Sequence, residues 1–269
     1  MRYYLIIVEG AHDIATVERI LRLHGINRMV RHKSEVPDVW KRMIPEKYPF
    51  HADDLERITP VPSFWQNDEI SVAIKNAGSD MQLVNCIKEM CYGLKIYEKQ
   101  HLEKIMLIGD ADRKPAEEKR RDILGAGDYD DDFRILENGS DMVLQLEELA
   151  PKEHILLPLV MYVLPDNENS GTLEDLLLDA AEIVYPDLKE CAEHYINTTD
   201  SERYKEMSDT TKRNKATVGC IANVIKPGKA NQAAIADSEW IGDISLCSDK
   251  IKKLYKAVGD FLDIKEIAE

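Results

Sequence analysis

Acidic side chains follow two short apolar runs in distant parts of the sequence. Glu9 and Asp13 follow the first run, and Asp110 and Asp112 follow the second. Four carboxylates gathered in one place would repel one another unless a cation lay between them. Carboxylate oxygens are hard ligands of the kind that Mg²⁺ or Mn²⁺ prefers. The residue types and their spacing therefore indicate a divalent-metal site.

The two apolar runs, residues 5–8 and 105–108, are the elements that must position these acids. Each run is too short for a helix and is flanked by glycine and acids, which is typical of a buried parallel strand. The carboxyl ends of parallel strands form the ligand crevice of an open α/β sheet. We therefore expect the four acids to converge at that edge, where Gly109 would allow close approach of the backbone.

A third acidic block follows the apolar run from His154 to Leu164. This block reads Ser170-Gly171-Thr172-Leu173-Glu174-Asp175. Thr172 and Asp175 resemble a capping box, which predicts a helix that begins at Thr172 and runs to about residue 184. We therefore interpret Asp175 as a structural residue.

Together, the three blocks resemble the Toprim fold, the catalytic module of topoisomerases, primases and several nucleases. The family signature is a Glu-Gly after a first strand, matched by Glu9-Gly10, and an Asp-x-Asp after a later one, matched by 110–112. The segment from Gly171 to Glu174 is similar to the Gly-x-x-Glu element of nucleases of the overcoming-lysogenisation-defect (OLD) family. The chain looks most similar to small standalone Toprim-like proteins of bacteria and archaea. The matching blocks span residues 1 to about 180.

The resemblance implies an α/β, Rossmann-like fold with a mostly parallel sheet flanked by helices. It also implies a Mg²⁺-dependent enzyme that cleaves phosphodiesters, with a nuclease that acts on DNA or RNA as the favoured interpretation. The metal ligands that it implies are Glu9, Asp13, Asp110, Asp112 and Glu174.

Two of these assignments, and one further residue, have open alternatives. Glu9 is either a metal ligand or a general acid/base. Asp13 lies in a predicted first helical turn, where the helix dipole explains an acid almost as well as a metal does. Lys215 is the best match to the lysine that related nucleases place near the scissile phosphate, where it stabilises charge. One solvated lysine among many explains Lys215 about equally well.

The charge balance limits the kind of substrate. The chain carries a net charge of −15, whereas nonspecific nucleic-acid affinity comes from Lys and Arg that neutralise phosphates. The sequence therefore argues against broad binding along DNA but allows a local basic groove. The cations that could form such a groove are Lys212, Lys215, Lys226 and Lys229, or Lys119, Arg120 and Arg121 on the helix after Asp112.

Composition gives the broad class of protein. The 269 residues contain no apolar stretch near the roughly 18 that a membrane span needs, so we expect a cytoplasmic protein that does not enter membranes. Five cysteines form no C-x-x-C pair, so reduced thiols are expected and zinc is not favoured.

Two other functions stay open beside the nuclease. One is a noncatalytic regulatory Toprim protein that binds a metal or a nucleotide, and the other is a phosphohydrolase that acts on a small nucleotide. The chain has no G-x-x-x-x-G-K-[ST] loop, so any ATP-driven step would need a partner ATPase, as in phage-defence systems that use related nucleases. A homodimer is also compatible with the sequence.

The predicted organisation is an α/β core over residues 1–185 and a helical region over 186–269. Within the core, residues 33–67 are rich in proline and look like an insertion packed over the sheet. Hydrophobic periodicity predicts the helices 12–24, 78–92, 115–124, 187–206, 212–225 and 250–261.

Overall fold

The computed structural model of the chain describes residues 1–44, 61–138, 141–149 and 152–264. The fold is α/β, as predicted. In these residues no helix is long and apolar enough to cross a membrane. The strands are β1 (Arg2–Val8), β2 (Arg28–Met29), β3 (Ser63–Gln66), β4 (Ile70–Asn76), β5 (Leu102–Asp110), β6 (Phe133–Asn138), β7 (Asp141–Leu149) and β8 (Lys152–Leu164). The α-helices are α1 (Ala11–Leu23), α2 (Leu83–Gly93), α3 (Ile96–Gln100), α4 (Ala116–Gly125), α5 (Leu173–Val184), α6 (Pro186–Asn197), α7 (Thr210–Ile225), α8 (Asn231–Asp237) and α9 (Asp249–Phe261).

The strands form one mixed sheet of eight, in the order β2-β3-β4-β1-β5-β8-β7-β6. β1 and β4 pair in parallel, with Arg2 opposite Ile70 and Val8 opposite Asn76. Both edges are antiparallel, through β2-β3-β4 on one side and β8-β7-β6 on the other. The sequence-based expectation of a mostly parallel sheet did not include these antiparallel edges.

The apolar runs behind the acids are buried on both faces, as predicted. Tyr4 to Val8 of β1 are completely inaccessible to solvent, and Ile105 to Ile108 of β5 are 1% exposed or less. A strand covered on both sides needs apolar residues at every position, which explains runs without alternation. Glu9, directly after the first run, and Asp110, after the buried Gly109, are therefore the first acids that can keep their charge at low cost.

The described residues divide into two compact units. The first comprises 1–9, 26–107 and 126–160, and the second comprises 10–25, 108–125 and 161–269. Neither unit is continuous in sequence, because the second unit contains α1 and the ends of β5 and β8 with the segments that follow them. The division into a core over 1–185 and a helical region over 186–269 that packs on it stays a prediction.

In the first unit, part of the predicted insertion belongs to the sheet. Ser63–Gln66 form β3, a sheet strand between β2 and β4, so the prediction of an insertion over 33–67 was wrong there. Asp38–Met43 form a 3₁₀-helix whose Trp40 is fully buried and donates its indole N–H to Ser71 Oγ at 2.9 Å. The remaining part of that prediction, residues 45–60, lies outside the described residues.

The second unit is mainly helical, and its helices are connected by specific polar contacts. Arg19 of α1 donates to the carbonyl of Ile241 at 2.7 Å. The buried Trp240 donates its indole N–H to the carbonyl of Leu177 in α5 at 2.8 Å. The predicted helix 187–206 ends early, since α6 stops at Asn197, and α8 was not predicted.

The start of α9 provides a stability test of the second unit. Ser248 is the N-cap of α9: its Oγ accepts the N–H of Ile251 at 3.3 Å and donates to Asp179 of α5 at 2.5 Å. We expect Ser248→Ala to lower the free energy of unfolding by about 1 kcal/mol, because it removes a cap. Urea denaturation checks this, and an unchanged midpoint would contradict it.

Candidate functional site

Asp110, the last residue of β5, is held by the beginning of α5. Its Oδ1 accepts the backbone N–H of Leu173, the first residue of that helix, at 2.8 Å. First-turn N–H groups have no partner within their own helix, and they attract negative charge. Asp110 therefore joins the end of a strand to the third acidic block of the sequence.

Asp112 is joined to the same block through main-chain atoms. Its N–H donates to the carbonyl of Gly171 at 2.7 Å, and the N–H of Gly171 donates back at 2.8 Å. Asp112 has a φ of 56°, in the left-handed region that aspartate tolerates better than most residues. Gly171 has a φ of 142°, and a Cβ there would lie 2.9 Å from an Asp175 carboxylate oxygen. The close approach therefore requires glycine at position 171.

The carboxylate of Asp112 is bound by a lysine. Lys119 Nζ lies 2.6 Å from Asp112 Oδ2, and the lysine side chain is only 8% exposed, against 53% for the aspartate. Lys119 belongs to the first turns of α4, and its N–H donates to the carbonyl of Pro115. One of the two acids of the Asp-x-Asp pattern thus has a built-in counter-ion.

The block around Glu174 combines a cap with a buried acid. Asp175 Oδ2 accepts the N–H of Thr172 at 2.8 Å, so the predicted capping box and the structural role of Asp175 are confirmed. Glu174 is 6% exposed, and its Oε2 accepts the hydroxyl of Thr172 at 2.9 Å. A carboxylate buried this deeply needs further partners or a cation to remain charged.

Asp13 lies in the first turn of α1, as predicted, and its acidity is altered. The pKa of the Asp13 carboxyl is raised to about 7, chiefly by burial and also by the negative charge of Glu174. The N–H of Gly10, which donates to Asp13 Oδ2 at 2.8 Å, and the positive charge of Lys215 act in the opposite direction. The structure therefore brings Asp13, Glu174 and Lys215 into one electrostatic environment.

Lys215, whose charge acts on Asp13, lies on helix α7. Asn214, the preceding residue, donates its side-chain amide to Asp175 Oδ1 at 2.9 Å and so fastens α7 to the start of α5. The Lys215 side chain is exposed and makes no hydrogen bond or ion pair within the described residues. Lys212, one turn earlier, is paired with Glu206. Lys215 is thus the lysine here that is available to bind a ligand.

Two open clefts meet at Asp112. One has a volume of about 460 Å³, and four lysines contribute to its wall together with Arg113. The other has a volume of about 660 Å³, and its wall is rich in hydroxyl and amide groups. Asp112, Arg113, Asp209 and Thr211 line both clefts. The four lysines of the first cleft are Lys114, Lys119, Lys212 and Lys215.

Glu9 belongs to the first unit, whereas the other predicted site residues belong to the second. Its carbonyl accepts the N–H of Gly78 at 3.1 Å, and its side chain is half-buried. The role of Glu9 as a ligand or general acid/base stays a prediction.

Comparison with known proteins places the chain in a family. The model of a family described as "Protein of unknown function (DUF3226)" matches residues 3–258. The chain belongs to this family. A hypothetical protein, PH0156 from Pyrococcus horikoshii OT3, has a similar fold, with a TM-score of 0.50 and 18% identity over 98% of this chain and 96% of that one. No curated protein matches.

The acidic side chains of the candidate site in this DUF3226 chain meet some of the requirements of a divalent-ion site and not others. Within the described ranges, no group of three or more His, Cys, Asp or Glu side chains is arranged to hold a metal. Mg²⁺, however, is commonly held by one or two carboxylates, with water and substrate phosphates as its other ligands. Asp13 and Glu174 repel each other, as a pair of carboxylates around a cation would, and their role as metal ligands stays a prediction.

Sequence reasoning missed four residues that line the clefts of the DUF3226 chain. The segment Asp209-Thr210-Thr211-Lys212 has the pattern of a helix start, and Asp209 caps α7 by accepting the N–H of Lys212. That signal could have placed the start of α7 correctly at residue 210. The ion pair between Asp209 and Arg113 joins residues far apart in sequence, so no local pattern predicts it. The four are Arg113, Asp209 and Thr211, which line both clefts, and Asn214, which lines the second.

Proposed function

We propose that this chain is a Toprim-type, Mg²⁺-dependent phosphodiesterase, with a nucleic acid as its substrate. The observation that supports this best concerns Lys215. Its positive charge lowers the pKa of the buried Asp13, and it also lines the lysine-rich cleft. A carboxylate pair suited to a cation and a cleft suited to a phosphate therefore share one residue.

Each residue has a defined role in this proposal. Asp13 and Glu174 would hold the ion, and Asp110, at the end of β5, would face the same region from the start of α5. Lys215 would bind a non-bridging oxygen of the scissile phosphate and offset its charge. Glu9 would act as a further ligand or as the general acid/base. When bound, the metal would polarise the phosphate and acidify a water molecule.

The second candidate is a phosphohydrolase that acts on a small nucleotide. Two observations support it. The net charge of −15 disfavours the binding of a long polyanion, and several cations line one cleft. The two functions differ in salt dependence, since many phosphate contacts make binding fall steeply with ionic strength. A partner ATPase and a homodimer stay predictions.

The experiment that tests the proposal is a cleavage assay. The purified protein is incubated with Mg²⁺ or Mn²⁺ and, in turn, supercoiled plasmid, single-stranded DNA, total RNA and a mixture of nucleotides. We expect cleavage that EDTA abolishes and that falls at least about 100-fold in Glu174→Gln, because a buried ligand charge is lost.

The matched control is Glu182→Gln, which changes an exposed acid on the same helix, α5. It should cleave like the wild type. Metal-independent cleavage, or equal activity in the two variants, would contradict the proposal. Hydrolysis of the nucleotide mixture alone, with weak salt dependence, would favour the second candidate.

A further inference from the structure

Lys119 occupies a position in α4 where an apolar residue is expected. The buried residues of this helix are Ala116, Lys119 and Ile123, which lie on one face at helical spacing. The neighbouring Arg121 is exposed and pairs with Glu117 in the usual surface manner. Of the three successive cations, Lys119 is buried, Arg120 is half-buried and Arg121 is exposed.

A buried ammonium must be paired, because removing it from water is costly. Asp112 pairs with it at 2.6 Å, and the main chain of Asp112 is fixed by two hydrogen bonds to Gly171. The lysine, the aspartate and the segment that carries the aspartate are thus all held in place. A divalent ion bound to Asp112 would lie close to the Lys119 ammonium, and two positive charges so close together repel each other strongly.

Resting on the function proposed above, we infer that Lys119 is a resident cation that takes the place of a second metal ion. The site then takes one divalent ion, on the side of Asp13 and Glu174. Asp112 is the counter-ion of Lys119 and not a metal ligand. The ammonium keeps one fixed positive charge beside the lysine-lined cleft at every metal concentration.

Metal stoichiometry tests this inference without any activity assay. Mn²⁺ binding to the full chain is measured by calorimetry and by electron paramagnetic resonance, which distinguishes an isolated ion from a coupled pair. We expect one ion per chain in the wild type and in Asp112→Asn. We expect two in Lys119→Met, which keeps the length and burial of the side chain but removes its charge.

Lys189→Met is the control, because Lys189 of α6 is likewise a paired lysine on a helix, with Glu182 and Glu193 as its partners. It should bind one ion. Thermal unfolding of every variant verifies that it is folded. Two ions in the wild type, no ion in the wild type, loss of binding in Asp112→Asn, or one ion in a folded Lys119→Met would each overturn the inference. One ion per chain without cleavage of any substrate would refute the proposed function and leave this inference standing.

Discussion

Asp110→Asn should retain the fold and lose at least about 1,000-fold in cleavage rate, because it removes one of the negative charges that would attract the metal ion to the reacting phosphate. Asparagine keeps the Oδ1 atom that accepts the N–H of Leu173 at 2.8 Å. The hydrogen bond between β5 and the start of α5 is therefore retained, whereas the negative charge at position 110 is lost. Steady-state cleavage and Mg²⁺ titration of the variant measure the effect.

A comparison with Asp110→Ala separates chemistry from structure. Alanine removes both the charge and the acceptor, so it should also lower the free energy of unfolding by about 1–2 kcal/mol, as the loss of a cap does. Asp187→Asn, on the exposed first turn of α6, is the control for the loss of one carboxylate. Full activity in Asp110→Asn would show that this residue serves only to hold α5.

Asp13→Asn should stabilise the metal-free protein above neutral pH by as much as about 4 kcal/mol, the equivalent of a three-unit shift. In the folded chain the pKa of Asp13 is raised from 3.8 to about 7. Between these values the folded state holds a proton that the unfolded state has released. The wild type therefore loses stability as pH rises from about 4 to 7, and the loss is complete above that range.

Urea denaturation at pH 4.5 and pH 8, with EDTA present, measures this difference. Asparagine can still accept the N–H of Gly10 through its Oδ1, so the cap of α1 is retained. The variant and the wild type should be about equally stable at pH 4.5 and differ at pH 8. Added Mg²⁺ should stabilise the wild type more than the variant, because it binds only the folded site. A difference that does not depend on pH would contradict the assignment.

Most elements that carry the site could be predicted from local patterns. β1, β5, α1 and α5 have sharp boundaries in the sequence, since an apolar run or an apolar stripe meets glycine, acid or a cap residue. The strand β3 could not be predicted in the same way, because Ser63-Phe64-Trp65-Gln66 is short and lies among prolines. The strand β7 had a usable signal, since Asn138-Gly139 before it is typical of a hairpin.

For the candidate site, the position of each acid in its strand or helix was predictable from the sequence, whereas the contacts of the acids were not. Strand-end position identified Asp110 and Asp112, but the pairing of Asp112 with Lys119 depends on which face α4 turns inward. The contact of Asn214 with Asp175 depends on where α7 packs, which no local pattern determines. Long-range polar contacts of this kind follow from tertiary packing, so they become visible only in the structure.

The bridge between Asp112 and Gly171 separates what the site does from what holds it together. Both of its hydrogen bonds use backbone atoms, so the side chain at position 112 takes no part in the attachment. Position 171, by contrast, has no freedom to vary, because any side chain there would collide with Asp175. During evolution, a relative could therefore replace Asp112 and the buried Lys119 together, with a residue at 112 that tolerates the same backbone, and acquire a different chemistry on an unchanged main chain.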